Sequence, residues 1–251
     1  MTKFSRRMQI NFRNHRKIVI IDGHTAYVGG HNVGDEYLGQ LPKLSPWRDT
    51  HVKISGPAAL SVQLVFIEDW YWMTEQTPPL SWEPKKLDKV GQRVLALPSG
   101  PADQMDTCSL FFVHAINSSQ ERCWIVSPYF VPDESVVSAL QLAAIRGVDV
   151  RILLPEKADH KLVYLAGFSY FHEIINSGIK MYRYKKGFLH QKVMLVDNQL
   201  TTVGTANFDN RSFRLNFELT MVFANQECNE TVSNMLEDDF KNSEPVTTDD
   251  Y

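Results

Sequence analysis

The sequence predicts an α/β protein of two related halves, with mixed sheets flanked by helices and a shared site at the pseudo-twofold interface between them. Three observations lead there. Continuous apolar runs bounded by turn residues alternate with longer segments of helical period. A motif bearing histidine and lysine occurs twice in one register. Hydrophobic residues make up 43% of the 251 residues and charged residues 22%, ordinary globular usage that excludes a disordered or collagen-like chain.

The elements follow in chain order. Lys17–Ile21, Thr25–Val28 and His51–Ile54 are apolar runs short enough for strands buried on both faces. Pro57 suits the first turn of a helix over Ala58–Trp72. Thr74–Lys89 is proline-rich and polar and reads as the linker between halves. Strands then follow at Arg93–Leu97 and Cys123–Ser127. Asp133 is a good N-cap for a helix over Glu134–Arg146, which ends at Gly147. A strand at Asp149–Leu154, a helix at Lys161–Asn176 ending near Gly178, and strands at Ile179–Tyr184, Lys192–Val196, Thr201–Val203 and Leu219–Phe223 complete the alternation. Glu227–Phe240 is the last helix. The domains are therefore expected at 1–90 and 91–251, with the motif copies at 9–36 and 184–211.

The first copy places His15, Lys17 and Asp22 ahead of Gly29-Gly30 and Asn32; the second places His190, Lys192 and Asp197 ahead of Gly204-Thr205 and Asn207. Both read HxKx4D, then glycine, then asparagine, and the interval between counterparts is the same at every matched position. A lone histidine beside a lysine is ordinarily a surface residue. Recurrence in register, with a matching apolar run, reverses that reading.

In an extended segment residues two apart share a face, so His15 points with Lys17 and His190 with Lys192. Asp22 and Asp197 stand at an odd offset and are expected to organise the site rather than react. Joined about a pseudo-twofold axis, the copies supply two imidazoles, two ammonium groups and two carboxamides. Lysine and asparagine donors suit equatorial phosphoryl oxygens. One imidazole can attack phosphorus, and the other can protonate the leaving alkoxide and then deprotonate the incoming alcohol. Each imidazole needs an acidic partner to fix its tautomer, and Asp49 and Glu218, each at the start of a strand, are the candidates.

Lysine is a poor metal ligand at neutral pH, and no further carboxylate stands at ligand spacing on the histidine face, so neither metal nor cofactor is expected. His24, His31, His51, His114, His160 and His172 do not recur in register and read as surface or structural groups. Cys108, Cys123 and Cys228 are odd in number and far apart, without a CxxC pair, and read as incidental thiols. Lys plus Arg number 26 against 29 Asp plus Glu, a formal charge of −3, so the chain carries no strongly basic nucleic-acid footprint. No apolar run is long enough to span a bilayer, and the opening MTKFSRRMQINFRNHRK lacks the apolar core of a signal peptide.

The doubled motif resembles the phospholipase D superfamily, whose signature is HxKx4D twice with a downstream asparagine. RNHRKIVIIDGHTAYVGGHNVGDEYLG, WRDTHVKISGPA, SGPAD, SPYFVPDES, AAIRGVDVRILLPEKAD and GFLHQKVMLVDNQLTTVGTANFDNRSFRLNFEL are similar to successive blocks of bacterial cardiolipin synthases. The resemblance covers nearly the whole chain. It implies duplicated phospholipase D-like half-domains and a transfer in which two phosphatidylglycerol molecules become cardiolipin and glycerol through a phosphohistidine. It implies His15 as nucleophile, His190 as acid and base, Lys17, Lys192, Asp22 and Asp197 in the catalytic set, Asn32 and Asn207 on phosphate, and Asp49 and Glu218 orienting the imidazoles across the pseudo-twofold.

Such enzymes usually begin with membrane-spanning helices followed by the upstream part of the first half. Judged against the second half, the first is incomplete by roughly 85 residues upstream. The chain is thus expected to be truncated at both ends, its parent to sit at the cell membrane, and its partners to be phosphatidylglycerol and other anionic phospholipids at a membrane surface. The motif leaves open a phosphodiesterase or nuclease using water, and an inactive remnant; the acidic balance and the lack of a basic aromatic groove disfavour nucleic acid. Trp70-Tyr71-Trp72 and Phe168–Phe171 fall at helical spacing and read as core rather than interfacial aromatics. Lys185-Lys186 reads equally as a solvated turn or as a contact for anionic headgroups.

Overall fold

The first half opens with β1 (Arg13–Asn14), β2 (Ile18–Ile21) and β3 (Thr25–Gly29). A 3-10 turn (Asp35–Leu38), β4 (Trp47–Arg48), β5 (His51–Ser55) and α1 (Ala58–Thr74) follow. The computed structural model describes residues 11–247 apart from 86, 88–90, 158 and 160. The opening decapeptide, His160 and the linker positions Lys86, Asp88 and Lys89 lie outside the described residues. β2, β3 and β5 form an antiparallel sheet, with Val28 opposite both Ile18 and Val52.

The second half begins with β6 (Val94–Ser99), α2 (Thr107–Ser118), β7 (Arg122–Val126), β8 (Phe130–Val131) and α3 (Glu134–Ile145). Next come β9 (Asp149–Pro155), α4 (Lys161–Asn176), β10 (Lys180–Tyr184), β11 (Phe188–Leu189), β12 (Val193–Val196) and β13 (Leu200–Gly204). β14 (Phe208–Asp209), α5 (Asn210–Arg214), β15 (Asn216–Phe223), α6 (Gln226–Lys241) and β16 (Ser243–Pro245) complete the chain. Parallel β7, β9 and β10 need crossovers, and α3 and α4 supply them. β12, β13 and β15 run antiparallel beside them, giving the mixed order β1-β15-β13-β12-β7-β9-β10-β16, with β6 also on β15. The Asp133 side chain accepts from the Val136 amide at 3.0 Å, the cap expected of it.

The two copies of the motif fold alike. β2-β3-β5-α1 and β12-β13-β15-α6 share order and antiparallel pairing. Asp22 and Asp197 both turn the chain with left-handed backbone, φ 52° and 50°. Gly29 and Gly204 both lie where a Cβ would strike the neighbouring strand's backbone, at Thr50 and Leu219 respectively. That close approach lays each β5- or β15-type strand against the motif. Ala26, Val28 and Ile54 of the small sheet pack with Leu219, Met221 and Phe223 of the large one, joining the halves through one apolar cluster.

One expectation needs correction, and one helix was not foreseen. Trp70, Tyr71 and Trp72 are 42%, 54% and 61% exposed, because α1 buries only its first turns, through Ala59, Val62, Gln63 and Val65. Phe171, by contrast, is core, with Phe168 packed against it. Lys185 is exposed beside a bend and pairs with Glu244 at 2.7 Å and Glu156 at 3.4 Å. The helix α2 went unread because TCSLFFVHAINS presents β-branched and aromatic residues without a clean polar stripe.

Candidate active site

Two short parallel pairings build the site. Arg13 and Asn14 pair with Asn216 and Phe217, which sets His15 opposite Glu218. Phe188 and Leu189 pair with Trp47 and Arg48, which sets His190 opposite Asp49. The backbone continues both pairings: the His15 amide donates to the Phe217 carbonyl at 2.9 Å and the His190 amide to the Arg48 carbonyl at 2.8 Å. Each histidine thus meets a carboxylate from the other half.

Nδ1 of His15 lies 2.9 Å from both oxygens of Glu218, and Nδ1 of His190 lies 2.9 Å from Oδ2 of Asp49. Such a pairing fixes the Nδ1–H tautomer and leaves each Nε2 with a lone pair. Burial alone raises the Glu218 carboxyl, but the hydrogen bond and charge of His15 and the Thr205 hydroxyl, which donates at 2.5 Å, hold it below the usual carboxylate range. Burial likewise works against Asp49, and the His190 hydrogen bond and Lys192 charge override it. At the position matching Thr205 stands Gly30, where a Cβ would collide with the Asp49 carboxylate. The shorter acid therefore sits against the smaller residue.

Lys17 and Lys192 occupy the same place in each copy, each Nζ donating at 2.6 Å to the carbonyl of the histidine two residues before it. Burial lowers Lys17 to about 8 and Lys192 to about 7, while both Glu218 and Asp49 pull each of them upward. Burial, then the Lys192 charge, lowers His190 to about 4. The His190 side chain is 7% exposed, whereas that of His15 is 26% exposed. The two lysines and two carboxylates thus feel one another, so both copies of the motif face one polar centre.

The residue between each histidine and lysine points to the opposite face and is braced by an aspartate on the half's last helix. Arg16 donates to Asp69 at 2.6 Å, and Gln191 donates to Asp239 at 2.8 Å. Asp239 also takes a two-point contact from Arg48, with both distances 2.8 Å. Sequence reading missed Asp69, Asp239 and Arg48, because the two aspartates stand at different intervals from the residues they brace.

The aspartates of the motif differ. Asp197 accepts from the backbone amides of Gln120, Glu121 and Arg122 at 2.8 to 3.2 Å and so ties the start of β7 to the end of β12. Asp22 is exposed and its carboxylate has no hydrogen-bond partner among the described residues. The asparagines differ too. Asn207 is buried, and its Oδ1 lacks a partner among the described residues. Asn32 is half-buried and donates to the Tyr37 hydroxyl. Tyr37 and Trp47 lie with their ring centres 6.0 and 5.1 Å from that of His190, and the Trp47 indole donates to Asp49 at 3.3 Å. Tyr37 stands in the 3-10 turn and Trp47 in the two-residue β4, elements too short to leave a periodic pattern in the sequence.

Among the described residues no group of three or more His, Cys, Asp or Glu side chains is placed to hold a metal ion. No helix among them is long and apolar enough to cross a membrane.

A duplicated α/β fold with paired His–carboxylate and lysine sets on its twofold defines a class, and solved structures share the fold. A phospholipase D family member, Nuc from Salmonella typhimurium, superposes with TM-score 0.52 at 23% identity, covering 63% of this chain and 100% of its own. A phosphatidylserine synthase from Haemophilus influenzae superposes with TM-score 0.70 at 16% identity, over 93% of this chain and 63% of its own. Residues 112–241 match the family described as cardiolipin synthase, PLD-like domain, and the chain belongs to that family. Cardiolipin synthase A of Pseudomonas putida strain GB-1 is 54% identical over 97% of this chain and 51% of its own length. The same-named protein of Pseudomonas aeruginosa strain LESB58 is 54% identical over 97% of this chain and 50% of its own. The chain spans about half the length of the curated relatives it matches.

Proposed function

We propose that the protein is a phosphatidyltransferase of cardiolipin-synthase type, acting at a membrane surface on two phosphatidylglycerol molecules to give cardiolipin and glycerol. The observation that supports this best is the crossed pairing of His15 with Glu218 and of His190 with Asp49 around the half-buried Lys17 and the buried Lys192. A phosphodiester anion between Lys17 and Lys192 gains charge-assisted hydrogen bonds on its non-bridging oxygens. Nε2 of His15 attacks phosphorus as the bond to the glycerol oxygen breaks, and His190 gives that oxygen a proton. The hydroxyl of a second phosphatidylglycerol then attacks the phosphohistidine; the P–N bond breaks and the hydroxyl proton returns to His190.

The greater exposure of the His15 side chain suits the nucleophile, which must meet both lipids in turn. The depressed basicity of His190 suits the group that shuttles a proton. Its second cause is the Lys192 ammonium, and an arriving anion offsets that charge and lets His190 hold a proton while substrate is bound. The carboxylates of Asp49 and Glu218 stabilise whichever imidazole is charged. On this reading Asn207 and Asn32 contact phosphate oxygens, and Asp197 and Asp22 serve the scaffold.

The test is product identity. The protein is incubated with labelled phosphatidylglycerol vesicles without added metal, and the lipids are separated. Cardiolipin with an equal amount of released glycerol is the expected result. Phosphatidic acid without cardiolipin would move the chain to the water-using phosphodiesterases.

A further inference from the structure

Beside His15 opens a groove of about 720 Å³ that the chemistry above leaves unused. One wall is apolar, formed by Val131, Leu162, Val163, Ala166 and Leu215. Leu162 is 84% exposed and Leu165, on the same helix α4, is 62% exposed, so the wall continues to the surface. Arg13 and Arg211 line the same groove together with His15 and Asn207. Arg13 precedes His15 by two residues on an extended strand, which sets their Cα atoms on one face about 6.6 Å apart. Arg211 is aimed by Asn11, through its backbone carbonyl at 2.9 Å and its side-chain oxygen at 3.2 Å. Asn216 also lines the groove; it is 5% exposed, and its Oδ1 has no hydrogen-bond partner among the described residues.

We infer that this groove is the acceptor-lipid site, and that Arg13 and Arg211 bind the acceptor's own phosphodiester, the one that is not transferred. The inference rests on the phosphatidyl-transfer reading and adds to it a second phosphate subsite. An acceptor phosphatidylglycerol presents a hydroxyl to phosphorus on His15 while its own phosphate sits one glycerol unit away. That three-carbon bridge spans a length comparable with the spacing of Arg13 and His15. The central hydroxyl of the bridge is a donor, and the unpartnered Oδ1 atoms of Asn216 and Asn207 are acceptors. The apolar wall covers the acyl chains. When the acceptor oxygen bonds to phosphorus, the P–N bond to His15 breaks and the proton passes to His190, so atoms and charge balance without another reactant. Free phosphate satisfies the arginines but not the spacing, and a nucleic-acid strand satisfies the spacing but not the apolar wall.

Binding of water-soluble probes by calorimetry tests this without relying on turnover. Deacylated cardiolipin carries two phosphodiesters across one glycerol; glycerophosphoglycerol carries one. The protein is expected to bind the first at least about tenfold more tightly than the second, and a variant with Arg13→Gln and Arg211→Gln to lose that difference while keeping its affinity for glycerophosphoglycerol. Equal affinities in the unaltered protein, or a difference that survives in the variant, overturn the subsite. Tighter binding of trithymidylate, whose two phosphodiesters flank one sugar, overturns the lipid assignment. Failure to bind either glycerol probe contradicts the phosphatidyl-transfer reading itself, and the subsite with it.

Discussion

Glu218 holds Nδ1 of His15, 203 residues earlier in the chain, with both carboxylate oxygens at 2.9 Å. No local sequence pattern could produce that contact. It follows from a two-residue pairing of β1 with the start of β15, and a matching pairing of β11 with β4 produces its counterpart at His190 and Asp49. Neither half completes a histidine–carboxylate pair without the other.

If the two imidazoles carry the reaction, His15→Asn and His190→Asn each lower turnover by at least ~10³ while the thermal midpoint moves little. His24, which belongs to neither pairing, serves as the control. Steady-state rates with calorimetric melting check this; equal losses in His24→Asn and His15→Asn contradict the assignment.

Glu218→Gln keeps the shape of the acid and removes its charge. Turnover is expected to fall by ~10²–10³, because the imidazole loses both its fixed tautomer and its counter-charge. The two changes are also expected to be far from additive: Glu218→Gln together with His15→Asn costs little more than His15→Asn alone.

His190 supplies a pH signature. Its folded-state value is about 4 against an ordinary 6.5, so between those values the unfolded chain binds more protons. Stability must then rise with pH across that window and fall on acidification, by about 3 kcal/mol from this group. Titration of the imidazole by nuclear magnetic resonance is expected to report the low value directly. Lys192→Met, which removes a charge that lowers it, should move it upward, and Asp49→Asn should move it further down.

Asp197 and Asp22 share a motif position but not a load. Asp197→Ala strips the hydrogen bonds from three backbone amides and is expected to cost ~1–3 kcal/mol. Asp22→Ala forfeits no such bonds among the described residues and is expected to cost less, ~1 kcal/mol, set by placing alanine at a left-handed φ, a cost that Asp197→Ala carries in addition. Urea unfolding of the two variants checks the asymmetry.

Much of this was legible in the chain because it is local or repeated. Apolar runs such as Val193–Val196 could only be buried strands, and matched spacing named His15, Lys17, His190 and Lys192 before any fold was seen. Asp49 and Glu218 were readable as strand-start acids, while their crossing between halves became visible only through β1 and β11, strands of two residues too short to leave a periodic signal. Tyr37 and Trp47 reach His190 from a 3-10 turn and a two-residue strand too short to leave a pattern, and Arg48, Asp69 and Asp239 act through side-chain pairings that spacing does not encode. The Trp70–Trp72 cluster was misread because helical spacing reports a face but not where the packing partner ends.

Mapping the covalent intermediate tests the central claim most directly. The protein is mixed with phosphatidylglycerol labelled at phosphorus, quenched in alkali to preserve phosphohistidine, digested and sequenced by mass spectrometry. Label on His15, lost when unlabelled phosphatidylglycerol is added and recovered as cardiolipin, is the expected result. Label on His190 would exchange the two roles, and product formation with no labelled histidine would contradict the two-step transfer.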